Sequence, residues 1–236
     1  MRERKPENCC SLFYFTFNET YYVRTFVFLF SIALLLSCHQ ASKIPDDFDY
    51  GKTENGVYTN KYFGMEITIP DHWIIQTKGQ VDSIMNKGKK ILEEKNKEIA
   101  SHVEKVLEHS PTLLMVFKYP PASAIIGYNP YFMIMSEKLN PLSGINTGID
   151  YLENERKLTE QAKIGYHASS DYSVKKIGEK EFDVLRFTRA VGEQMDVQRV
   201  FNVRIEKGFA LNIILSYASA KQEEELMDVL RHIKFK

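Results

Sequence analysis

The sequence predicts an α+β domain, an antiparallel β-sheet with helices packed on both of its faces. Three observations carry this reading. The stretch from Tyr172 to Tyr217 runs as strands of alternating polarity joined by hairpin-sized turns, and such short connections demand antiparallel pairing. Three other segments place apolar residues at helical spacing on a single stripe, and such a stripe must be buried against a sheet. Phe, Tyr, Ile and Val are plentiful, so a core can be filled and the chain is not disordered.

The elements follow in order. Gly56–Asn60 and Tyr62–Ile69 are β-rich, and Phe63, Met65, Ile67 and Ile69 alternate with small or polar residues as a half-buried strand does. Pro70-Asp71 stops that strand, and Trp73-Ile74-Ile75 resumes extended structure. Over Gln80–Ser110 the period changes. Val81, Ile84, Met85, Leu92, Ile99, Val103, Val106 and Leu107 recur at helical spacing among many Lys and Glu, with Gly88 and Lys95 interrupting the stripe. A long amphipathic helix with a kink is expected there, ended by Pro111.

Thr112–Tyr119 and Tyr131–Leu139 read as the next strands. A second helix is expected over 150–163, capped by Thr147 with Asp150 and facing inward through Ile149, Leu152, Leu158 and Ala162. Turns at Gly178-Glu179-Lys180, Gly192-Glu193-Gln194 and Lys207-Gly208 then punctuate a meander. The last helix opens at Ser219 with Gln222 three residues on, and buries Leu226, Val229, Leu230 and Ile233.

The N-terminal segment carries a different message. Thr25–Ser37 is an uncharged, almost wholly apolar run that begins after Arg24 and ends in Leu35-Leu36-Ser37-Cys38. A basic residue, an apolar core and a small residue at the cut site make a secretory signal. With Cys38 directly after it, the stretch resembles a bacterial lipoprotein signal. That resemblance implies diacylglycerol transfer to the Cys38 thiol, cleavage after Ser37, and acylation of the new amino terminus by a fatty acid such as palmitate. Position 36 is Leu where a smaller residue is usual, and residues 1–23 carry Glu3, Glu7, Glu19 and Cys9-Cys10, foreign to a short basic leader. One explanation is a start codon placed too early, with translation expected to begin near Val23. At thirteen residues the run is shorter than the roughly 20 needed to span a bilayer.

The expected organisation is therefore 1–37 signal, 38–55 lipidated cysteine and flexible polar tether, and 56–236 a single α+β domain. Cys9, Cys10 and Cys38 are the only cysteines, so no disulfide, thiolate metal site or cysteine nucleophile falls within the globular part. The full chain balances 31 basic against 31 acidic residues, without the positive footprint of a nucleic-acid binder.

Tyr62-Phe63-Gly64-Met65-Glu66-Ile67-Thr68-Ile69-Pro70-Asp71-His72-Trp73 is similar to the opening pattern of the PsbP/Mog-like family, an aromatic-Gly-apolar strand closed by Pro and then Trp. Asn129-Pro130 leading into Phe132–Met135, and Phe209–Ser216 running into an acidic-started helix, extend the resemblance over most of 56–236. It departs at His72, where Gly commonly precedes the Trp, and in the length of the segment 80–110. It implies an antiparallel sheet covered by helices on both faces and a binding or assembly role, and it supplies no catalytic motif.

Candidate chemistry is sparse. His102 and His109 share a face of the long helix but stand two turns apart, roughly 10 Å, too far for one metal. Glu98 and His102 at i, i+4 read as a surface pair. Trp73 is expected as a core anchor with His72 in a turn, and Glu223-Glu224-Glu225 as carboxylates offsetting a helix dipole. Arg186, Arg189, Arg199 and Arg204 lie on adjacent strands among Asp183, Glu193, Asp196 and Glu206, where cross-strand pairing is expected over a cationic patch. Gly144 and Gly148 flank Asn146 in a flexible stretch rather than a phosphate cradle. Tyr119-Pro120-Pro121 and Gly127–Tyr131 fit either exposed recognition loops or loops pinned by buried aromatics.

No catalytic, cofactor or metal residue is assigned. The expected function is a lipid-anchored module of a bacterial envelope that binds or assembles another envelope protein. The alternatives are an envelope hydrolase built from scattered residues, or a small-ligand carrier with an apolar cavity between sheet and long helix. The membrane contact is through lipid on Cys38. The His-Gln that follows lacks the Asp that retains some lipoprotein precursors' products at the inner membrane, which favours the outer membrane.

Overall fold

The computed structural model describes residues 43–121, 127–193 and 195–236. The segment expected as a signal, Cys38 and the first residues of the expected tether lie outside the described residues. Twelve strands and four helices are present among them. The strands are β1 (Lys52–Glu54), β2 (Val57–Asn60), β3 (Met65–Thr68), β4 (Ile74–Ile75), β5 (Thr112–Phe117), β6 (Tyr131–Lys138), β7 (His167–Ala168), β8 (Ser173–Ile177), β9 (Lys180–Val191), β10 (Met195–Glu206), β11 (Phe209–Tyr217) and β12 (Ile233–Phe235). The helices are α1 (Lys78–Lys95), α2 (Lys97–Leu107), α3 (Gly148–Ala162) and α4 (Ala220–Arg231).

The large sheet runs β4-β5-β6-β11-β10-β9-β7, with β8 sharing the outer edge of β9, and every pairing in it is antiparallel. Strand alternation sorts its side chains between two cores. Phe209, Leu211, Ile213 and Leu215 of β11 face one of them, together with Leu226, Val229 and Leu230 of α4. Ala210 and Ile214 face the other, with Tyr151 and Leu152 of α3 and with Val81 and Ile84 of α1 packed against it. Helices thus cover both faces, as the alternating pattern required.

A second sheet is an addition to that expectation. The opening strands pair among themselves, and β12 closes the row as β1-β2-β3-β12. Ile233, which continues the helical stripe of α4 in sequence, is buried on β12 opposite Ile67. A strand after the last helix was not legible because its partner, β3, lies at the other end of the domain. Gly64 shows the close fit: a Cβ there would stand 2.4 Å from the Lys236 carbonyl, while Lys236 N–H donates to the Gly64 carbonyl at 2.8 Å.

The polar tether expected over 38–55 is corrected in its C-terminal part. Phe48 is buried, stacks on Phe209 at 5.1 Å and meets Tyr62 and Phe63. Asn60 Nδ2 donates to the Asp49 carbonyl at 2.6 Å, the Tyr58 hydroxyl donates to the Tyr50 carbonyl at 3.0 Å, and 52–54 form β1. Aromatic burial outweighs the local polarity of Asp46-Asp47-Phe48-Asp49, so the packed domain begins before residue 56.

The long helix breaks where its stripe was interrupted. Asn96 ends α1 and caps α2, accepting from Ile99 N–H at 3.2 Å. A bond from Thr77 to Gln80 completes the capping box of α1, and no residue of α1 is fully buried. On α3 the Thr147–Asp150 capping box forms as expected. The inner face differs: Ile149 is exposed and Tyr151 takes the buried position beside Leu152.

Candidate functional site

A cavity of about 270 Å³ lies between the large sheet and the layer of α2 and α3. Its walls are mostly apolar, from Ile99, Val103 and Val106 of α2, Leu158 and Ala162 of α3, and Phe201 and Ile214 of the sheet. Two alanines, Ala162 and Ala210, leave the room that larger side chains would fill. A larger cleft of about 860 Å³ beside α1 has its carboxylates, Asp82 and Glu108, on an exposed rim. The smaller cavity holds the unusual chemistry.

Three sheet positions bring polar groups to its floor. Glu137 follows Tyr131, Met133 and Met135 on the inward face of β6. Asn212 interrupts the apolar run of β11 and is 3% exposed, and its Oδ1 has no hydrogen-bond partner among the described residues. Arg199 stands on the same face of β10, and its Nε is buried without a partner. From above, α3 contributes Tyr151 and, one turn on, Glu155.

The charges in this setting are perturbed. The Tyr151 hydroxyl donates to Glu137 Oε2 at 2.9 Å. Burial raises the Glu137 pKa, against the opposing pull of that hydrogen bond and of His109. Glu155 makes no hydrogen bond or ion pair among the described residues. Burial first, and then the neighbouring Glu137 charge, push its carboxyl up to about 7, with Arg199 pulling the other way. Burial opposes the charge of Arg199, but Tyr131, Tyr166 and Tyr128 more than offset it, so the guanidinium stays charged. That guanidinium lies over the Tyr166 ring at 4.8 Å.

The two charged ends are well separated. Glu137 pairs with Ala210 and Arg199 with Ser216, six residues apart on β11, or about 20 Å between backbones. The site is therefore an apolar slot with Glu137 and Arg199 rooted toward opposite ends and Glu155 acted on by both charges.

The residues singled out from sequence mostly stand elsewhere. His72 is exposed at a left-handed φ of 68°, and Trp73 packs on Phe132 at 6.1 Å, the turn and anchor expected. That conformation explains why Gly suits the position before the Trp. Glu98 and His102 are both exposed; His102 reaches the cavity rim. Among the described residues no group of three or more His, Cys, Asp or Glu gathers at one point.

Cross-strand pairing of the arginines is corrected. Arg186 pairs with Glu223 of α4 at 2.9 Å, Arg204 with Glu206 on its own strand at 3.1 Å, while Arg189 and Arg199 face Tyr166 on the opposite side. Glu223 and Glu225 do more than offset a dipole: Glu225 holds Lys118 at 2.6 Å, fastening α4 to the strand end. In the aromatic loop, Tyr128 is pinned, its hydroxyl 2.6 Å from Ser216 Oγ and its carbonyl taking Gln222 Nε2. Tyr119 stays 41% exposed, with Asn129 bonded to both its N–H and its carbonyl. Residues 122–126 between them lie outside the described residues.

Fold and site together define an antiparallel α+β domain with a half-polar cavity under one helix layer. No family model matches the chain, and no curated protein matches it. Among solved structures, the chain is similar to cyanobacterial PsbP (CyanoP) from Synechocystis sp. PCC 6803, at 13% identity over 84% of this chain and 100% of that one, with a TM-score of 0.46. It is also similar to LpqN of Mycobacterium tuberculosis, described as involved in cell envelope biogenesis, at 13% identity over 73% of this chain and 83% of that one, with a TM-score of 0.39.

Proposed function

We propose that this domain is a binding module that holds a small amphipathic molecule in the cavity between sheet and helices. The observation that carries it is the slot itself, apolar along its walls, with the buried Asn212 Oδ1 and Arg199 Nε without partners among the described residues. Buried polar atoms normally find partners, and a ligand supplies them. Of the readings drawn from sequence, the small-ligand carrier required such a cavity, and it replaces a protein partner as the leading one.

The address is a second part of the proposal. The Leu35–Cys38 motif supports lipidation at Cys38, tethering the binding module to an envelope membrane, and the lack of Asp after Cys38 supports the outer one. Cys38→Ser should abolish labelling by palmitate and move the protein out of the membrane fraction; unchanged labelling would refute the anchor. For the cavity, native mass spectrometry of protein extracted from its own membranes should show a bound small molecule. Leu158→Trp, which fills the slot, should lose it; retention of the same mass in that variant would refute the cavity as its place.

The Glu137–Glu155 pair favours one further reading. A carboxyl poised near pH 7 beside a second one is what general acid–base catalysis uses. Turnover of a bound molecule by the wild type, lost in Glu155→Gln, would move the assignment from carrier to hydrolase.

A further inference from the structure

We propose that the ligand of this cavity is a small primary amine, bound with its ammonium head between Glu137, Glu155 and Asn212 Oδ1 and its apolar body along Val103, Leu158 and Ile214. The proposal rests on the reading of the cavity as a binding site and adds the chemical class of its occupant.

The count of unfilled groups points to a donor. At the Glu137 end the cavity offers acceptors: the second oxygen of Glu137, both oxygens of Glu155 and the amide oxygen of Asn212. The opposing donor in the cavity is Arg199, whose Nε is unpaired among the described residues; its charge acts on Glu155 and on Tyr131, Tyr166 and Tyr128, offsetting part of the acidic charge without filling the acceptors at Glu137 and Asn212. An alcohol brings one donor and a carboxylate none, whereas an ammonium brings three and a compensating charge. Ser110, also on the wall, is already committed, its hydroxyl donating to the Val106 carbonyl at 2.7 Å.

Charge agrees with the count. Two carboxylates crowd each other in an apolar setting, so Glu155 keeps its proton up to about pH 7 when no cation is bound. An entering cation relieves that repulsion and lets both ionise. The groups facing Glu155 are Glu137 from β6, Arg199 from β10 and Tyr151 on its own helix, with His102 at the rim; His109 acts on Glu137. Binding of an amine therefore strengthens with rising pH. With Glu155 titrating at about 7, its ionised share rises about tenfold between pH 6 and pH 8, while an aliphatic amine stays protonated.

The test uses three molecules of one skeleton: phenethylamine, 2-phenylethanol and phenylacetate. Each is titrated calorimetrically into the full-length protein in lipid nanodiscs, with empty nanodiscs as blank. Phenethylamine should bind at least tenfold more tightly than the other two, and about tenfold more tightly at pH 8 than at pH 6. Glu155→Gln should weaken the amine about tenfold at pH 8 and remove most of the pH dependence; a full pH dependence in that variant would overturn the ammonium–Glu155 contact. Equal or tighter binding of the alcohol or the acid, lost in Leu158→Trp, overturns the amine and leaves the cavity reading standing. Binding of none of the three overturns both.

Discussion

Replacing Glu155 by Gln tests the electrostatics of the cavity without a ligand. In an unfolded chain a Glu titrates near 4.3. In the folded domain burial and the Glu137 charge hold it at about 7. A carboxyl whose folded pKa is raised binds its proton more tightly when folded, so stability falls as pH rises through the window between the two values. Below about pH 4.3 both states are protonated and the group has no effect. Above about 7 both are ionised and the whole penalty is present. Each tenfold difference in proton affinity between the two states is worth about 1.4 kcal/mol, which makes the penalty of order 3 kcal/mol. Gln is close in shape to the protonated acid and cannot ionise. Urea unfolding at pH 4.5, 6 and 8, followed through the fluorescence of Trp73, the single tryptophan, reads the difference directly. The variant should match the wild type within about 1 kcal/mol at pH 4.5 and be more stable by about 3 kcal/mol at pH 8. Parallel stability–pH curves for the two proteins would refute a half-buried, perturbed Glu155.

Phe48→Ala should cost about 3–5 kcal/mol in the same assay, because the ring is buried among Phe209, Tyr62 and Phe63; a loss below about 0.5 kcal/mol would return the segment to a tether. His72→Gly should leave stability unchanged or raise it by up to about 1 kcal/mol, since relief of the left-handed φ outweighs the added freedom of the unfolded chain. A clear loss of stability would instead show that the imidazole makes a stabilising contact.

Much of the architecture was legible because it rests on local pattern. The β9–β11 meander, the Thr147 and Ser219 caps and the break beside Lys95 all follow from side-chain period and capping chemistry within a few residues. What escaped depended on distant partners. Phe48 looks polar by its neighbours and is buried only because Phe209 comes back to it. Ile233 extends a helical stripe, yet β3 recruits it into a strand. The cavity had a signal that went unread: Glu137, Asn212 and Glu155 are polar residues at inward positions of otherwise apolar faces. Their convergence needs the β6–β11 register and the docking of α3, which no local spacing shows.

That signal also separates function from stability. A domain without a disulfide in its globular part rests on packing, and this one leaves Asn212 with an unpaired buried acceptor and two carboxylates under a helix layer. The unpaired Asn212 Oδ1 and the raised Glu155 carboxyl both weaken the fold by itself. An unsatisfied buried acceptor costs about 1–3 kcal/mol, so Asn212→Leu, which keeps the branched outline and places its larger volume in the slot, removes that cost and adds apolar contact with Ile214 and Val103. The variant should unfold at higher urea, by about 1 kcal/mol or more, while binding phenethylamine more weakly than the wild type. Both changes must appear together. A Leu that destabilises the fold would mean Asn212 is a structural group whose partner is a buried water, and the polar floor of the cavity would then belong to the core rather than to a ligand.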